Sequence, residues 1–551
     1  MKALLIPSAL LMPLDMQNKF GEIPMALFPL GNKTMIENIY NKYKGIVDVI
    51  YIVVKKKKIL INDYIESKKL PIQVVELDTL GDLGYTVCYG LDMLLKQNPS
   101  VDYVYINFAD SLLEDEMPVE NMDFIYYTCG TKTNEWTYFT FSKGRITDIV
   151  DKCAETEAVI AGNLENIFTG IFGFADPKYF LELLKQFKSG SDIDSFYRAV
   201  DTYSQKSPFK MLQAVSWLDV GHSENYSKAK TNVAARSFNL IEIDERRGIL
   251  KKRSENKEKL VNEIRWYLRV PNKLQYLLPR VYDYSLDLTE PYVSMEYYGY
   301  HTLHESLVFG NLSLVKWHVI FRKILFALED MSRFTVSGES NQLEFSMRNV
   351  YLQKTFSRLE KMRYDKDFQS FFEKTIIINK KKYRTLEEYM ELLPQLVEDL
   401  LIKTFEGQFN IIHGDLCLAN ILIEDTYGFI RIIDPRGRFG VFDIYGDVRY
   451  ELAKLLHSLE GKYDFIIEDM FDINVNSNII EYHSHKFINN IIDVFFDVFH
   501  EIMGNIRAVR LIEATLFLSM IPLHSDFKLR QFAMLATGIQ LLEQVIRDTE
   551  G

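Results

Sequence analysis

The residues of this 551-residue chain that are best suited to chemistry lie in one segment, between positions 409 and 434. An apolar run, Phe409–Ile412, leads into His413-Gly414-Asp415. Asn420 follows five residues after this aspartate, and a second apolar run ends at Asp434. Phosphoryl transfer needs a carboxylate near the accepting hydroxyl, together with amide and carboxylate oxygens that hold magnesium. The types and spacing of these residues therefore predict phosphoryl transfer.

A strand, a loop and a hairpin are expected to position these side chains. The first apolar run is predicted to be a strand that delivers the loop, and the segment from Ile421 to Ile433 is predicted to be a hairpin with its turn at Glu424–Gly428. Such a hairpin would place Asp434 beside the loop that ends at Asn420. The alternative is structural, because aspartate is common in turns and asparagine often caps a helix.

The pattern HGDxxxxN followed by IIDPRG resembles the catalytic loop and metal-binding strand end of the aminoglycoside phosphotransferase and choline kinase superfamily, which shares the protein-kinase fold. The resemblance implies that Asp415 is the catalytic base and that Asn420 and Asp434 bind Mg²⁺. It also implies that ATP is the phosphoryl donor and that a small molecule with a hydroxyl group is the acceptor. Asp447 is implied to brace the catalytic loop.

In such a kinase, a strand lysine binds the ATP phosphates and is held by a glutamate on the following helix. The chain predicts a hairpin over 238–252, and Lys251 is the expected lysine. Lys252 is the alternative if the register shifts by one residue. The helix predicted over 257–268 carries Glu263, which is expected to pair with this lysine.

The segment Tyr292–Tyr300 resembles the strand and hinge that join the two lobes of a kinase. By this resemblance, Glu296 and Tyr298 are expected to bind the nucleotide, and backbone groups nearby to bind its adenine. Stacking of aromatic side chains on adenine is plausible there, although aromatic residues are equally expected in a core strand.

The first 230 residues alternate apolar strand patterns with helical patterns, which predicts a doubly wound parallel sheet. Ligands bind such sheets beyond the carboxyl ends of the strands, where Asp110 is expected to lie. The predicted strands are Met1–Ile6, Ile46–Val54, Ile72–Leu77 and Tyr103–Phe108, and the predicted helices include Thr34–Tyr43 and Leu83–Leu95.

This half resembles the sugar-nucleotidyltransferase family, which joins a phosphomonoester to a nucleoside triphosphate. The matching stretches are Pro13-Leu14 through Pro24–Lys33, Leu80–Gly84, Asp110, Asp151-Lys152, Phe168–Phe172 and Trp217–Gly221 with the following Glu224-Asn225-Tyr226. The resemblance implies that Asp110 and Asp219 bind Mg²⁺, that Lys152 contacts the phosphomonoester, and that CTP or another nucleoside triphosphate is bound. The alternative for each of these residues is a charge at a strand end or on the surface.

Two departures from the family concern the nucleotide phosphates. The family has a glycine-rich loop followed by an arginine where this chain has Ile6–Met12, which contains neither residue type. The family's lysine in its Pro-Lys pair is Met25 here, and methionine cannot neutralise a departing pyrophosphate. Binding without turnover and altered chemistry are therefore alternatives for this half.

Length and composition predict two or three domains. We place them at 1–235 (nucleotidyltransferase-like, α/β), 236–300 (kinase-like N-lobe) and 301–551 (kinase-like C-lobe, α+β). The formal net charge of −12 argues against a nucleic-acid partner. The four cysteines lack metal or redox spacing, and no apolar run is long enough for membrane insertion, so a cytoplasmic protein is expected.

The sequence thus predicts an ATP-dependent kinase that phosphorylates a hydroxyl of a sugar, polyol or amino alcohol, supplying a precursor for capsular polysaccharide. One alternative is a bifunctional kinase and nucleotidyltransferase that makes a nucleoside-diphosphate-activated product. Another is a nucleotide-binding regulatory protein with a silent first domain. No motif specifies the acceptor or the oligomeric state.

Overall fold

The computed structural model describes residues 1–31, 33–130, 135–152, 165–187, 193–221, 239–337, 339–424, 428–484 and 488–550. The chain divides into two compact units, Met1–Val233 and Ala234–Gly551. The predicted domain boundary near residue 235 and the motif Glu224-Asn225-Tyr226 lie outside the described residues.

The first unit contains one large mixed sheet and two small two-stranded sheets. Its strands are β1 (Lys2–Ser8), β2 (Pro29–Leu30), β3 (Lys33–Thr34), β4 (Val49–Val54), β5 (Ile72–Glu76), β6 (Tyr103–Asn107), β7 (Ser111–Leu113), β8 (Phe124–Gly130), β9 (Tyr138–Ser142), β10 (Arg145–Val150), β11 (Glu165–Phe174), β12 (Lys210–Gln213) and β13 (Trp217–Asp219). Its α-helices are α1 (Leu14–Phe20), α2 (Met35–Tyr43), α3 (Lys58–Ser67), α4 (Leu83–Gln97), α5 (Pro177–Gln186) and α6 (Ser195–Lys206).

The strand order of the main sheet is β10-β9-β11-β6-β1-β4-β5, and β8 pairs with β11 and β12. Strands β6, β1, β4 and β5 are parallel, and β11 joins them antiparallel to β6. The chain moves outward from β1 to β4 and β5, then returns through α4 to β6 on the other side of β1. Because parallel crossovers are right-handed, this reversal puts helices on both faces and opens a crevice at the carboxyl ends of β1 and β6.

Two aspartates connect the N-termini of α4 and α6, because each carboxylate accepts hydrogen bonds from backbone amides at the start of the other helix. The Asp82 carboxylate accepts a hydrogen bond from Ser195 N at 3.2 Å. In return, the Asp194 carboxylate accepts from Leu83 N at 2.9 Å and from Gly84 N at 3.0 Å. Each carboxylate thus satisfies amide groups that a helix start leaves unpaired.

The second unit begins with a four-stranded antiparallel sheet and continues as a mainly helical body. Its strands are β14 (Asn239–Asp244), β15 (Ile249–Ser254), β16 (Val281–Ser285), β17 (Tyr292–Glu296), β18 (His301–Thr302), β19 (Thr335–Val336), β20 (Ile376–Ile378), β21 (Lys381–Tyr383), β22 (Phe409–Ile411), β23 (Ile421–Ile423), β24 (Ile430–Ile432), β25 (Tyr445–Gly446), β26 (Phe471–Asn476) and β27 (Ile479–Ser484). The first sheet has the order β14-β15-β17-β16.

The α-helices of the second unit are α7 (Lys257–Arg269), α8 (Leu303–Val308), α9 (Leu314–Ser332), α10 (Ser340–Arg348), α11 (Lys354–Arg363), α12 (Gln369–Glu373), α13 (Leu386–Val397), α14 (Arg449–Leu459), α15 (Tyr463–Ile467), α16 (Asn489–Met503), α17 (Ile506–Met520) and α18 (Lys528–Glu550). A π-helical segment, Asn349–Gln353, connects α10 directly to α11. Capping boxes at Thr302 with Glu305 and at Thr385 with Glu388 start α8 and α13. Within the described ranges, the helices lack the combined length and apolarity that a bilayer crossing requires.

Candidate functional site

The two strands of the predicted hairpin after Asn420 pair as expected, while residues 425–427 of its predicted turn lie outside the described residues. The hairpin joins three of the predicted site residues. Strand β22 leads into the loop that carries Asp415, and β23 pairs with β24 so that Ile421 faces Ile432. Asn420 accepts a hydrogen bond from Ile433 N at 3.0 Å through its backbone oxygen, and its Nδ2 donates to the backbone oxygen of Asp415 at 2.8 Å. The loop that ends at Asn420 is therefore tied to the strand that leads into Asp434.

One face of helix α7 contacts both the segment before Asp415 and the segment at Asp434. Trp266 Nε1 donates to the backbone oxygen of Ile412 at 2.7 Å, and the Tyr267 hydroxyl accepts from Asp434 N at 3.1 Å. Glu263 lies three and four residues before these side chains, and this spacing brings all three to the same side of a helix. Helix α7 thereby positions Glu263 relative to the loop and the hairpin.

Glu263 pairs with Lys252, and the predicted pairing with Lys251 is corrected. Lys252 Nζ lies 2.9 Å from both carboxylate oxygens of Glu263 and 2.7 Å from Asp434 Oδ1. Burial opposes the charged form of Lys252, but the carboxylates of Glu263 and Asp434 raise its pKa. Lys251 points to the other side of β15, where its Nζ lies 4.1 Å from the ring centre of Tyr292. Successive side chains of a strand point to opposite faces of the sheet, so a register shift of one residue exchanges the faces on which Lys251 and Lys252 lie.

The backbone around Asp434 is unusual in two ways that favour this convergence. Asp434 has a φ of 59°, in the left-handed region that non-glycine residues adopt rarely and aspartate more readily than most. Gly437, with a φ of 66°, lies so close to α7 that a Cβ would stand 2.1 Å from the backbone oxygen of Asn262. Glycine is thus required where this loop passes the residue that precedes Glu263.

Asp415 forms an ion pair with a buried lysine that sequence reasoning missed. Lys454 Nζ, on α14, lies 2.8 Å from Asp415 Oδ1. Burial alone would raise the pKa of Asp415, but the charge of Lys454 and its hydrogen bond hold that pKa well below the ordinary value. The same ion pair raises the pKa of Lys454 despite its burial. Asp415 is therefore ionised at neutral pH.

The loop before Asp415 is braced by Glu451, not by Asp447 as expected. The buried Glu451 carboxylate accepts from His413 N at 3.1 Å and from Gly414 N at 2.8 Å. Asp447 instead accepts from the Tyr351 hydroxyl at 2.9 Å and pairs with Arg449. Glu451 and Lys454 are three residues apart and lie on one face of α14. In the sequence they are simply two charged residues beside the apolar side chains of this helix.

The predicted nucleotide-binding residues Glu296 and Tyr298 lie at the end of β17. The Tyr298 hydroxyl donates to Glu296 Oε2 at 2.6 Å, and its ring stacks on Tyr300 with 5.1 Å between ring centres. The guanidinium of Arg431, on β24, lies 5.3 Å from the Tyr298 ring centre. This stack links the four-stranded sheet to the hairpin that bears Asp434.

In the first unit, Asp110 and Asp219 meet at the carboxyl end of β6. Gly221 N donates to Asp219 Oδ1 at 2.8 Å. A Cβ on Gly221 would lie 3.0 Å from this oxygen and 3.4 Å from Asp110 Oδ2, so both carboxylates border one point. Burial and the neighbouring charge of Asp219 raise the pKa of Asp110 to about 7. A cation between the two carboxylates would relieve this repulsion.

Trp136 completes this pair and was not predicted from sequence. Its Nε1 donates to Asp219 Oδ2 at 2.6 Å, and its ring packs edge-on against Trp217 at 5.4 Å between ring centres. Trp217 Nε1 in turn donates to Ser111 Oγ at 2.8 Å. The contact between Trp136 and Asp219 spans 83 positions, and nothing in the local sequence signals it.

The two aspartates open into a cavity of about 540 Å³. Lys152 and Met25 also line it, as do the end of β1 and the loop that follows it, from Pro7 to Leu11. The structure thus brings together the predicted phosphate-contacting lysine, the two predicted metal ligands and both departures from the family pattern. Oxygen ligands suit Mg²⁺, which often binds one or two carboxylates together with substrate phosphates, so Asp110 and Asp219 fit this ion.

No protein-family model matches the chain. A curated relative, the bifunctional protein GlmU of Methanococcus aeolicus, is 32% identical over 96 residues, or 17% of this chain and 21% of the relative. The chain thus matches about a fifth of that protein's length.

Solved structures also align with the chain, among them one from Bacillus anthracis and one from Streptococcus pneumoniae. A putative glucose-1-phosphate thymidylyltransferase from Bacillus anthracis has a TM-score of 0.35 and 13% identity, covering 43% of this chain and 97% of that one. The CTP:phosphocholine cytidylyltransferase LicC from Streptococcus pneumoniae has a TM-score of 0.32 and 17% identity, covering 42% of this chain and 97% of that one. The N-terminal region resembles sugar nucleotidyltransferases.

Proposed function

We propose that the second unit is a magnesium-dependent phosphotransferase that moves the γ-phosphate of ATP to a hydroxyl group of a small molecule. The observation that carries this proposal is the buried Lys252 between Glu263 and Asp434. A lysine held in this way by a helix glutamate is the device that kinases use to position ATP phosphates. The four-stranded sheet with α7, followed by a helical body, supports a kinase-like N-lobe over 236–300 and C-lobe over 301–551.

The other side chains have roles consistent with this proposal. Asn420 donates its Nδ2 to the loop, which leaves Oδ1 as the atom that would bind Mg²⁺ together with the Asp434 carboxylate. Bound Mg²⁺ would neutralise charge on the transferring phosphate. Asp415 would orient the acceptor hydroxyl and take its proton, while Lys454 keeps Asp415 ionised before the acceptor arrives. Glu296 and Tyr298 are proposed to border the adenine site.

A second candidate function belongs to the first unit. We propose that Asp110 and Asp219 hold Mg²⁺ with CTP or another nucleoside triphosphate, and that Lys152 contacts a phosphomonoester in the same cavity. The cavity that these residues share supports the proposal. Met25 and the glycine-free loop provide neither a cation nor a row of unhindered amides for the leaving pyrophosphate. The first unit therefore either transfers nucleotides by altered chemistry or binds them without turnover.

Together the two units suggest consecutive steps. A kinase would make a phosphomonoester, and a nucleotidyltransferase would join it to a nucleotide to give an activated product. Such products are precursors of surface polysaccharides, and both steps would use the cytoplasmic pool of nucleoside triphosphates.

The test is ³¹P NMR of the purified full-length protein with Mg²⁺, ATP, CTP and a pool of hydroxyl compounds, beside the variants Asp415→Asn and Asp219→Asn. We expect a phosphomonoester signal with the native protein and with Asp219→Asn, but not with Asp415→Asn. A later diphosphodiester signal that Asp219→Asn removes would show an active first unit. Equal phosphomonoester formation by native protein and Asp415→Asn would refute the kinase assignment.

A further inference from the structure

Cationic side chains gather around Asp415 on the side of α11. Lys354 and Arg358 lie four residues apart on α11, on one side of that helix. Arg436 follows the hairpin and packs against the catalytic loop. The backbone N of Arg436 donates to His413 O at 2.9 Å, and a Cβ on Gly414 would lie 3.0 Å from the Cβ of Arg436.

These cations are close enough to act on one another. Burial and the positive charges of Arg436, Arg358 and Lys454 hold the pKa of Lys354 well below its ordinary value, and the Asp415 carboxylate opposes them only in part. Lys354 thus interacts with three cations and with one carboxylate, Asp415, which already pairs with Lys454 at 2.8 Å. The cluster has an excess of positive charge.

The three remaining cations have neutral partners or solvent. Arg358 donates to the backbone oxygen of Ser519 at 2.8 Å, and Arg436 donates to the Tyr450 hydroxyl at 2.8 Å. Across the described part of the chain, Lys354, Arg358 and Arg436 make no ion pair with a carboxylate. All three are half-buried. Holding like charges together in a partly desolvated position is unfavourable unless an anion joins them.

The backbone before Lys354 is also atypical. The segment Asn349–Gln353 is π-helical, and α11 begins immediately after it. A π-turn inserts an extra residue into a helix and rotates the residues that follow; such turns occur frequently at functional sites. The ring centre of Tyr351, in this segment, lies 6.3 Å from that of Tyr450, whose hydroxyl accepts from Arg436, so the start of α11 lies beside Arg436.

We propose that Lys354, Arg358 and Arg436 bind an anionic group of the phosphoryl acceptor, a carboxylate or a phosphate, so that the substrate is an acidic hydroxyl compound. This inference rests on the proposed kinase function and narrows its acceptor class. Guanidinium groups bind carboxylates and phosphates through matched pairs of N–H donors, and a lysine adds a point charge. Amino alcohols would be repelled by the same cluster, and neutral sugars would leave its charge uncompensated.

The first arm of the test measures binding to the full-length protein by isothermal titration calorimetry, with Mg²⁺ and a non-hydrolysable ATP analogue present. The probes share one carbon skeleton and differ in charge: glycerate, glycerol 3-phosphate, glycerol and 3-aminopropane-1,2-diol. We expect the anionic probes to bind about tenfold or more tightly than the other two. Comparison of glycerate with glycerol 3-phosphate shows which anion the cluster prefers.

The matched variants are Lys354→Met and Lys361→Met. Lys361 is an exposed lysine on the same helix, so its replacement controls for changes to α11. We expect Lys354→Met to weaken binding of the anionic probes about ten- to a hundredfold, because it removes a charge-assisted contact. Binding of glycerol and of the ATP analogue should be unchanged, and Lys361→Met should resemble the native protein.

The second arm measures phosphoryl transfer to the same probes and to gluconate, glucose 6-phosphate, glucose and glucosamine. We expect transfer to anionic acceptors, with kcat/KM lowered by Lys354→Met. Transfer to neutral or cationic acceptors at equal or higher kcat/KM would overturn the inference while leaving the kinase intact. Absence of anion binding, or loss of ATP-analogue binding in Lys354→Met, would also overturn it. Anion binding that depends on Lys354 without any transfer would support the site and refute the kinase.

Discussion

The buried Lys454 and the half-buried Asp415 form an ion pair between helix α14 and the loop after β22, with 2.8 Å between Nζ and Oδ1. A buried carboxylate without a partner would bind a proton more readily, and this lysine prevents it. Because the pKa of Asp415 is held below its ordinary value, the pair stabilises the fold above the unfolded pKa of an aspartate, about 3.9. That contribution is lost as the pH falls through the folded pKa.

Replacement of Lys454 by Met should expose this coupling in the pH profile of the proposed phosphoryl transfer. We expect the pKa of Asp415 to rise above its ordinary value, because its partial burial remains while its counterion is lost, so that an acid limb of kcat/KM enters the measured range. The measurement is kcat/KM between pH 5 and pH 9. The exposed Lys374→Met serves as control. A uniform loss of rate without a shift of the acid limb would show that Lys454 acts otherwise than through Asp415.

The two neighbouring lysines of β15 should differ sharply in their effect on ATP use. Lys252→Met removes the cation that contacts Glu263 and Asp434, and we expect kcat/KM for ATP to fall about a hundredfold or more. Lys251→Met should change it less than about threefold, because Lys251 lies over Tyr292 on the other side of the strand. Unfolding midpoints measured on both variants separate loss of function from loss of fold. Equal effects of the two substitutions would contradict this assignment.

Glu451 should make the stability of the second unit depend on pH. Burial raises the pKa of Glu451 to about 7 from an ordinary 4.5. A raised folded pKa gives a stability contribution that is complete below the unfolded pKa and is lost as the pH rises through about 7. We expect the native protein to lose roughly 3 kcal/mol more stability than Glu451→Gln between pH 5 and pH 8.

Denaturant unfolding at these two pH values measures the difference, and the exposed Glu391→Gln is the control. The amide side chain introduced by Glu451→Gln keeps an oxygen that can accept from the backbone N–H groups of His413 and Gly414, so the loop should stay in place. Parallel pH dependence of the native protein and Glu451→Gln would show that the buried carboxylate does not titrate in this range.

Mg²⁺ binding to the first unit should be visible in the fluorescence of Trp136. Its Nε1 donates to Asp219 Oδ2 at 2.6 Å, so an ion bound by Asp110 and Asp219 changes the surroundings of its ring. We expect the fluorescence change caused by Mg²⁺ to be at least about tenfold smaller in Asp219→Asn than in the native protein, and to be absent in Trp136→Phe. Asp78→Asn, an exposed position, is the control. A response to Mg²⁺ that persists unchanged in Asp219→Asn would place the ion elsewhere.

The sequence was sufficient for local structure and for the residues within one hairpin. Helix α7 begins at Lys257 as predicted and ends one residue later than predicted, and the hairpin that joins the strands before Asp434 forms as expected. Periodicity and turn residues determine such elements over a few positions. Asn420 contacts the backbone of Asp415 because the two lie on the same short loop.

Side-chain partners from distant segments could not be read in this way. Lys251 and Lys252 are neighbouring residues of the same type, and only the side of β15 on which each lies distinguishes them. Lys454 is one charged residue on a helix, and its burial becomes apparent only when α14 packs behind the loop that carries Asp415. The contact of Trp136 with Asp219 likewise depends on the whole sheet of the first unit.

The reciprocal hydrogen bonds of Asp82 and Asp194 between α4 and α6 affect the order of folding. Leu83 and its partner Asp194 are 111 positions apart, so at ordinary rates of synthesis the partner emerges roughly 6 to 20 s later. Until then, the four parallel strands and α4 have been synthesised, but the backbone amides of Leu83 and Gly84 lack their acceptor Asp194. The nascent first unit therefore stays incompletely closed through most of its own translation, and a chaperone that holds early chains would meet it in that interval.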